Sequence, residues 1–478
     1  MGYDGVDIPA SIKDMDLEPC VDTSNLKKDS LLFITDKVSG NNETIDINKL
    51  NIRPAAIVIS KARKVSDEKI PIIRAKSVRA ALSFALSNFC GIDYDKIKII
   101  GVTGTNGKTT TATLIYEMLR ISGYKVGFIG TGRIISDGIV LSADTYSMTT
   151  PDPMVLYPTL EKMIDKGCKF VVMEVSSHAL ALDKTAPIKF EYGIFTNLGN
   201  DHLDFHQSKD EYFKTKLKLF SSVKVGLFNI DDEYSMMASN ISQCKKRTFG
   251  IINEADAYAT EIDISDIKKT VFFYRENGII FKVESHIGGA FNVYNILAAL
   301  KCVIDLGIKP CIAKNAISKI HGIEGRMEIT DGPVRIIIDY AHTPEAFYNS
   351  LKTIKQSVNS KQRLVLVFGC GGDRDKGKRH IFGKIADEFA DTIIITEDNP
   401  RSENSENIAN DILSGIEKKS AKIIHEREKA IRYAFAVANH GDVIALIGKG
   451  HERYTAKGGK LIYFDERKIA AEEMSKWK

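Results

Sequence analysis

A chain of 478 residues, 44% hydrophobic and 27% charged, is too long for one ordinary hydrophobic core and implies about three domains. Its net charge of +4, from 66 basic against 62 acidic residues, provides no basic face for nucleic acid. No apolar run of about 18 residues and no amphipathic anchor points to a membrane partner. Seven cysteines without a Cys-x-x-Cys pair argue against structural zinc and for a reducing compartment, with thiols serving as small buried apolar residues. Met1 to Asp16 carries acidic residues and no apolar segment, so the expected location is the cytoplasm.

In chain order, residues 1–92 carry no sharp motif. Leu31–Ile34 and Ala55–Ile59 read as strands and Ser77–Phe89 as a helix with an apolar face, together a small N-terminal α/β domain. From Ile97, short β-rich runs alternate with helical patterns: Ile97–Val102, a helix after Lys108, Lys125–Gly130, Lys169–Val175 and Ile188–Thr196. This is the pattern of a mostly parallel sheet with crossover helices, a central P-loop-type domain over residues 93–328. Val271–Tyr274 and Ile279–Val283 flank Glu276-Asn-Gly278 as an inserted hairpin. From Val334 the alternation restarts with Arg335–Asp339, Leu364–Phe368, Thr392–Thr396 and Val443–Ile447, a C-terminal Rossmann-like domain over residues 329–478. Its strand ends lead into the segments at Tyr340–Pro344, Gly369–Arg374, Asp398–Arg401 and Gly448–Glu452, where ligand loops belong in an open sheet.

The first chemistry-bearing segment is Gly101–Thr110. Gly104, Thr105, Asn106, Gly107, Lys108, Thr109 and Thr110 fill the turn between a strand and a helix. Glycines let backbone N–H groups approach a phosphate, the helix N-terminus adds positive potential, Lys108 can bridge phosphate oxygens and Thr109 can ligate Mg²⁺. The usual Gly-x-x-x-x-Gly-Lys spacing would put its first glycine at Val102, and glycine stands at Gly101 and Gly104 instead, so the turn is a variant nucleotide loop. Glu174, after an apolar strand, is a second candidate for Mg²⁺. Asn197, Asp201, His202, Asp204 and His206 crowd one loop, either to bind metal or phosphate or as a solvated, self-capping turn. In the helix that follows Ser208, Lys216 lies near the spacing of Tyr212, Leu219 and Phe220. On residue pattern alone it reads as a lysine snorkelling from an amphipathic face.

Taken together, Gly104–Thr109, Thr149-Thr-Pro151, Glu174-Val-Ser-Ser-His178, Thr196-Asn-Leu198 with Asp201–Asp204, Tyr212 with Lys216, Asn292 with Asn295, Gly325-Arg-Met-Glu328, Asp339–His342 and Gly448–Glu452 resemble the Mur ligases. These are the ATP-dependent amino-acid ligases of peptidoglycan precursor synthesis, and the likeness, from about Lys96 to the C-terminus, is to the MurE type. The resemblance implies an N-terminal domain for the uridine diphosphate, a central ATP-binding domain and a C-terminal domain that closes over it. It implies transfer of the γ-phosphoryl group to a substrate carboxylate, giving an acyl phosphate that an amine then attacks. It assigns Lys108 to the phosphates, Thr109 and Glu174 to one Mg²⁺ and His202 to a second. Lys216 would be carbamylated by CO₂, which turns a repelling ammonium into a hard oxygen ligand. Asn295, Arg326 and Asp339 would hold ATP.

The implied substrates are UDP-N-acetylmuramoyl-L-alanyl-D-glutamate and meso-diaminopimelate, handled by a monomer. Thr149, Thr150, Ser176 and His342 would contact substrate. Asp398, Asn399, Pro400 and Arg401 resemble the loop of diaminopimelate-adding members, with Arg374, Gly448 and Glu452 completing the pocket. Arg401 suits a bidentate grip on the distal carboxylate that lysine lacks, and Glu452 suits the distal ammonium. Two positions depart from the family pattern: Ser24 stands where an arginine contacts uridine, and Lys184 where an arginine contacts the muramoyl peptide. The segment Lys37–Asn51 lacks the usual glycine-rich stretch. Alternatives are a paralogue that uses L-lysine or another acceptor, and a folylpolyglutamate-synthase-like ligase. The latter would take glutamate as its amine, against which the Asp398–Arg401 loop speaks.

Overall fold

The computed structural model describes residues 9, 12, 15–35, 50–64, 70–142, 148–201 and 205–477. Its strands and helices alternate through most of the chain in mostly parallel sheets. Two compact units result: Met1–Gly101 with Lys125–Glu191 and Ser222–Lys224, and Val102–Tyr124 with Tyr192–Ser221 and Val225–Lys478.

In the first unit the strands Glu18–Cys20, Ser30–Phe33, Ala56–Ser60 and Ile72–Ala75 lie parallel and side by side in chain order. Leu32, Ile57 and Ile59 pack with Leu26 and Ile70 on one face. The helix Val78–Phe89 begins where the Ser77 hydroxyl accepts from the Ala80 amide, the capping that a serine before an apolar run supplies. The same unit holds Val126–Gly130, parallel to Phe170–Glu174. Val126–Gly130 also pairs antiparallel with Arg133–Ser136, which turns back into Ile139–Ser142. That hairpin was not read from the sequence. Its signal is the Asp137-Gly138 pair, at φ 51° and 81°, the residues a tight two-residue turn selects.

In the second unit the helix Lys108–Ile121 follows the glycine turn and packs on the apolar helix Ala290–Asp305. Val223–Asn229, Lys245–Gly250 and Ala257–Asp263 run parallel. Thr270–Glu276 and Ile279–Ser285 add the expected hairpin, with Asn277 and Gly278 at φ 37° and 82°.

The second sheet of this unit has the order Glu328–Thr330, Arg335–Asp339, Val443–Ile447, Leu364–Phe368, Thr392–Ile395, Ala421–Ile423, with only its first strand antiparallel. Alternate residues face opposite cores. Ile337, Leu366 and Ala445 pack towards Phe347, Leu351 and Phe382, while Ile336, Val365 and Ile444 pack towards Ile431, Ala434 and Ile469. A strand buried on both faces must be apolar where both faces are covered, as Leu364–Phe368, Val443–Ile447 and the Ile336–Ile338 run of Arg335–Asp339 are. All seven cysteines are free; Cys20, Cys90, Cys168, Cys302 and Cys370 are buried as expected, whereas Cys311 is exposed.

Candidate functional site

The glycine turn of the second unit sits between two strand ends. The Thr196 amide donates to the Thr103 carbonyl at 3.0 Å. A Cβ on Gly104 would lie 1.9 Å from Thr196 Oγ1, and one on Gly107 2.3 Å from Asn295 Oδ1. Gly104 and Gly107 also have φ of 144° and 84°, so sterics and backbone conformation both demand glycine. Asn197 clamps the turn, accepting from the Asn106 amide at 2.9 Å and donating to the Asn106 carbonyl at 3.1 Å. Lys108 Nζ donates to the Gly104 and Thr105 carbonyls at 2.9 and 2.7 Å, holding a cation over a helix N-terminus suited to anions.

Lys216 does not snorkel. It is 1% exposed; its Nζ donates to the Gly104 carbonyl at 2.8 Å and lies 4.5 Å from the centre of the Tyr212 ring. The helix that carries it, Lys209–Leu217, is capped by Ser208. The residue pattern suggests a wet lysine stem, but the glycine turn and Tyr212 meet the ammonium and the whole side chain is buried. Burial, and then the charge of Lys108, hold its amine well below the ordinary lysine range, which favours a neutral, nucleophilic nitrogen. His206 is buried between Phe205 and Tyr212. His202 lies outside the described residues, as does Asp204.

Facing the turn within the same unit are residues around the start of the second sheet. Arg326 Nη2 donates to Thr109 Oγ1 at 2.9 Å, and its guanidinium stacks 4.5 Å from the Tyr340 ring centre. Thr343 Oγ1 donates to Asn106 Oδ1 at 3.1 Å. His342 Nε2 lies 3.6 Å, and Lys378 Nζ 4.0 Å, from the Asp201 carboxylate. Asp339 accepts from the Met327 and Tyr340 amides and from Ser350, fixing the residues that follow Arg326; burial raises its carboxyl pKa.

Between these groups opens a cavity of 570 Å³, reached by Asn106, Gly107, Thr110, Asn295, Arg326 and Asp339, with apolar walls from Phe249, Ile251, Ile262 and Phe291. A polar turn at one end and apolar walls at the other suit a nucleotide. Asp231 was missed by sequence reasoning. It gathers the Ile251, Ile252 and Asn253 amides at 2.6, 2.9 and 3.0 Å and the Tyr294 hydroxyl at 3.0 Å, so it fixes the Ile251 wall. Its only signal is an aspartate just beyond a strand end.

At the C-terminal ends of the second sheet polar and charged side chains converge in a cluster, termed the polar pocket. Asn399 Nδ2 donates to Glu452 Oε2 at 2.7 Å. Arg401, in the left-handed region at φ 55°, donates to the Gly372 carbonyl at 2.7 Å. A Cβ on Gly371 would meet Arg401 Nη1 at 2.9 Å and Arg374 Cγ at 3.8 Å, so both arginines border this glycine. Gly372 leaves no room beside the Pro400 carbonyl, 2.0 Å from its would-be Cβ, and the would-be Cβ of Gly448 lies 3.7 Å from Asp398 Oδ2. Burial first, then the charge of Asp398, pushes the Glu452 carboxyl up to about 7. Tyr340 joins the two regions: its ring carries Arg326 and its hydroxyl lies 3.5 Å from Glu452 Oε1.

The pocket also contains a residue that was not singled out, Lys449, whose side chain is fully buried. Behind the loop, Arg379, equally buried, donates to Glu403 and Asp411 and holds the Glu403 carboxyl down to about 2.

Other expected residues belong to the first unit. Glu174 accepts from the Thr131 amide at 2.9 Å and its hydroxyl at 3.2 Å, and the Thr131 hydroxyl oxygen lies 3.2 Å from Thr149 Oγ1. Thr150 Oγ1 donates to the Glu174 carbonyl at 2.8 Å and accepts from the Ser176 amide at 3.0 Å, while Ser176 caps the helix Ser177–Ala181. Lys184, 7% exposed, pairs with Asp152 at 2.7 Å. Ser24 is exposed, its amide and hydroxyl both on Asp22. Of the segment that lacks the glycine-rich stretch, residues 37–49 lie outside the described residues. Among the described residues no three His, Cys, Asp or Glu converge as a metal site, and no helix is long and apolar enough to cross a membrane.

Residues 102–303 match the Mur ligase middle domain, and residues 325–450 match the Mur ligase glutamate ligase domain. The chain is 40% identical over 424 residues to UDP-N-acetylmuramoyl-L-alanyl-D-glutamate--2,6-diaminopimelate ligase 1 of Clostridium acetobutylicum, covering 87% of this chain and 86% of the relative. It is 37% identical over 458 residues to the ligase of the same designation in Clostridium tetani, covering 94% and 93%. A solved structure of a UDP-N-acetylmuramoyl-L-alanyl-D-glutamate--2,6-diaminopimelate ligase matches with TM-score 0.65 and 29% identity over 96% of this chain and 94% of that one. The folylpolyglutamate synthase of Mycobacterium tuberculosis has TM-score 0.65 at 16% identity, over 77% and 92%, a likeness of fold.

Proposed function

Since the chain belongs to the Mur ligase family, we propose that it joins meso-diaminopimelate to the D-glutamate carboxylate of UDP-N-acetylmuramoyl-L-alanyl-D-glutamate at the expense of ATP. The γ-phosphoryl group passes to a carboxylate oxygen as ADP leaves. The diaminopimelate amine then attacks the acyl carbon, loses a proton and expels phosphate, forming the amide. A bare carboxylate is too poor an electrophile for direct attack, so phosphorylation supplies the leaving group.

What carries this reading is the coupling through Tyr340. One side of it holds Arg326, whose guanidinium bonds Thr109 at the phosphate turn, and the other reaches Glu452 in the polar pocket. The two glycines with no room for a Cβ keep the turn beside the cavity as bare backbone, with Gly107 on the cavity wall, which fits a polyphosphate. Lys108 would neutralise the transferring group, Asn295 and Asp339 would border the adenosine, and Arg326 would follow the phosphates. Thr109 and Glu174 offer the hard oxygen donors that Mg²⁺ prefers, with His202 assigned to a second ion. When bound, the metal supplies charge neutralisation at the phosphoryl oxygens. A neutral Lys216 nitrogen can add to CO₂ and release a proton, leaving a carbamate oxygen as a further donor. A carbamate ¹³C resonance grown from labelled bicarbonate and lost in Lys216→Arg tests this.

In the acceptor region Thr149, Thr150, Ser176, Lys184, Ser24 and His342 would meet the UDP-dipeptide. Asp398, Asn399, Arg401, Arg374, Gly448 and Glu452 would take the distal end of the amine. The functional division follows residues 1–92, 93–328 and 329–478, in a cytoplasmic monomer. The test is phosphate release from ATP and Mg²⁺ with the UDP-dipeptide and meso-diaminopimelate, L-lysine or no amine. Release that requires both the dipeptide and diaminopimelate is expected. Equal turnover with lysine overturns the assigned amine, and no release with either amine overturns the acceptor.

A further inference from the structure

Lys449 is 0% exposed, and its ammonium lies among the carboxylates of the polar pocket. It donates to the Tyr454 carbonyl at 2.7 Å and to Asn399 Oδ1 at 3.3 Å. It also lies 3.4 Å from Asp398 and 3.9 Å from Glu452. Asn399 Oδ1 accepts from the Ala456 amide as well, at 2.9 Å. With two donors on its oxygen, the Asn399 amide has one orientation left, and that turns Nδ2 onto Glu452. A buried cation that fixes an amide and stands between two carboxylates sets both the geometry and the charge of what they bind.

We propose that Lys449 is the positioning residue that makes this pocket select an amine whose distal end carries both an ammonium and a carboxylate. The inference rests on the substrate reading above. With Lys449 in place, the carboxylates of Asp398 and Glu452 are offset by Lys449, and Arg401 and Arg374 border the same loop, so each charge of a zwitterionic end meets an opposite one. Without Lys449 the site loses one positive charge next to both carboxylates. The distal carboxylate is then held less well relative to an end that is ammonium alone, which is the L-lysine side chain. The backbone Tyr454 carbonyl and the Asp398 carboxylate both face Lys449, so no neutral side chain can reproduce its two roles.

The test compares kcat/KM for meso-diaminopimelate and for L-lysine in the wild type, Lys449→Met, Lys449→Gln and Lys449→Arg. In Lys449→Met the diaminopimelate-to-lysine ratio is expected to fall at least about tenfold, mainly through KM for diaminopimelate, with KM for ATP within about twofold. Lys449→Arg should restore most of the ratio, because it keeps the charge. Lys449→Gln, which can still donate to the Tyr454 carbonyl, makes the same comparison if the methionine variant lacks a cooperative thermal transition. An unchanged ratio, or equal losses with both amines, overturns the role of Lys449. Failure of the wild type to turn over either amine overturns the substrate reading itself.

Discussion

The cavity beside the glycine turn and the polar pocket belong to one compact unit and are built in opposite ways. The turn beside the cavity is shaped by its backbone, with Gly104 and Gly107 so close to Thr196 and Asn295 that a Cβ has no place, and the Lys108 ammonium rests on the turn's own carbonyls. The polar pocket sets the partly exposed Glu452 against charged side chains withdrawn from water: Lys449 and, behind it, Arg379 and Arg427. Backbone recognition tolerates any ligand with the right anion, whereas buried charges discriminate, because an unmatched one is left desolvated. The two constructions should therefore fail differently when perturbed.

The largest effect is expected under the polar pocket. Arg427 and Glu466 form a buried pair at 2.8 Å, with side chains 3% and 0% exposed, and Arg427 also bonds the Ile447 carbonyl just before Gly448. Arg427→Met leaves Glu466 without its partner and should cost about 3–5 kcal/mol in urea unfolding, most of it recovered by adding Glu466→Leu. If the single variant is as stable as the wild type, the pocket does not depend on its buried charges.

At the cavity, Lys108→Ala should lower kcat for phosphate release by about 10²–10³-fold, the scale of one electrostatic contact to a transferring group. The folded state should survive, since the Lys108 ammonium bonds carbonyls of its own turn. Gly107→Ala combines φ of 84° with a 2.3 Å approach to Asn295, and about 1–3 kcal/mol of strain should appear as a lower melting temperature and a smaller ATP-induced shift. An alanine variant that keeps the full ATP-induced shift would mean that the close approach is not needed for nucleotide binding.

The smallest effect concerns pH and separates the two regions most cleanly. The Glu452 carboxyl titrates near 7 in the fold against an ordinary 4.5. A carboxyl with a raised pKa binds more protons folded than unfolded, so its stability contribution is present below about pH 4.5 and is lost as pH rises through about 7. Binding an ammonium needs the ionised form. We therefore expect kcat/KM for the amine to fall up to about tenfold per pH unit below 7, while KM for ATP stays flat. Asp398, Asn399, Lys449 and Arg401 face this carboxyl, and Glu452→Gln should remove the slope together with most amine binding.

The glycine turn, the parallel strands and the Asp398–Arg401 loop could be read from the chain as elements because each is written in contiguous residues: glycine and lysine at a strand end, Ile-Val runs, a polar turn after an apolar strand. The sequence placed Lys216 in a helix but misjudged its environment, since what buries it, Gly104 and Tyr212, includes a residue more than a hundred positions away. Asp231 and Lys449 were passed over for the same reason. An aspartate or lysine in a loop is ordinary until the fold gathers amides around one and carboxylates around the other. Local chemistry determined the elements and where anions could dock. Tertiary packing alone decided which charges lost their water, and the cost of that desolvation is what turns a common side chain into a specific one.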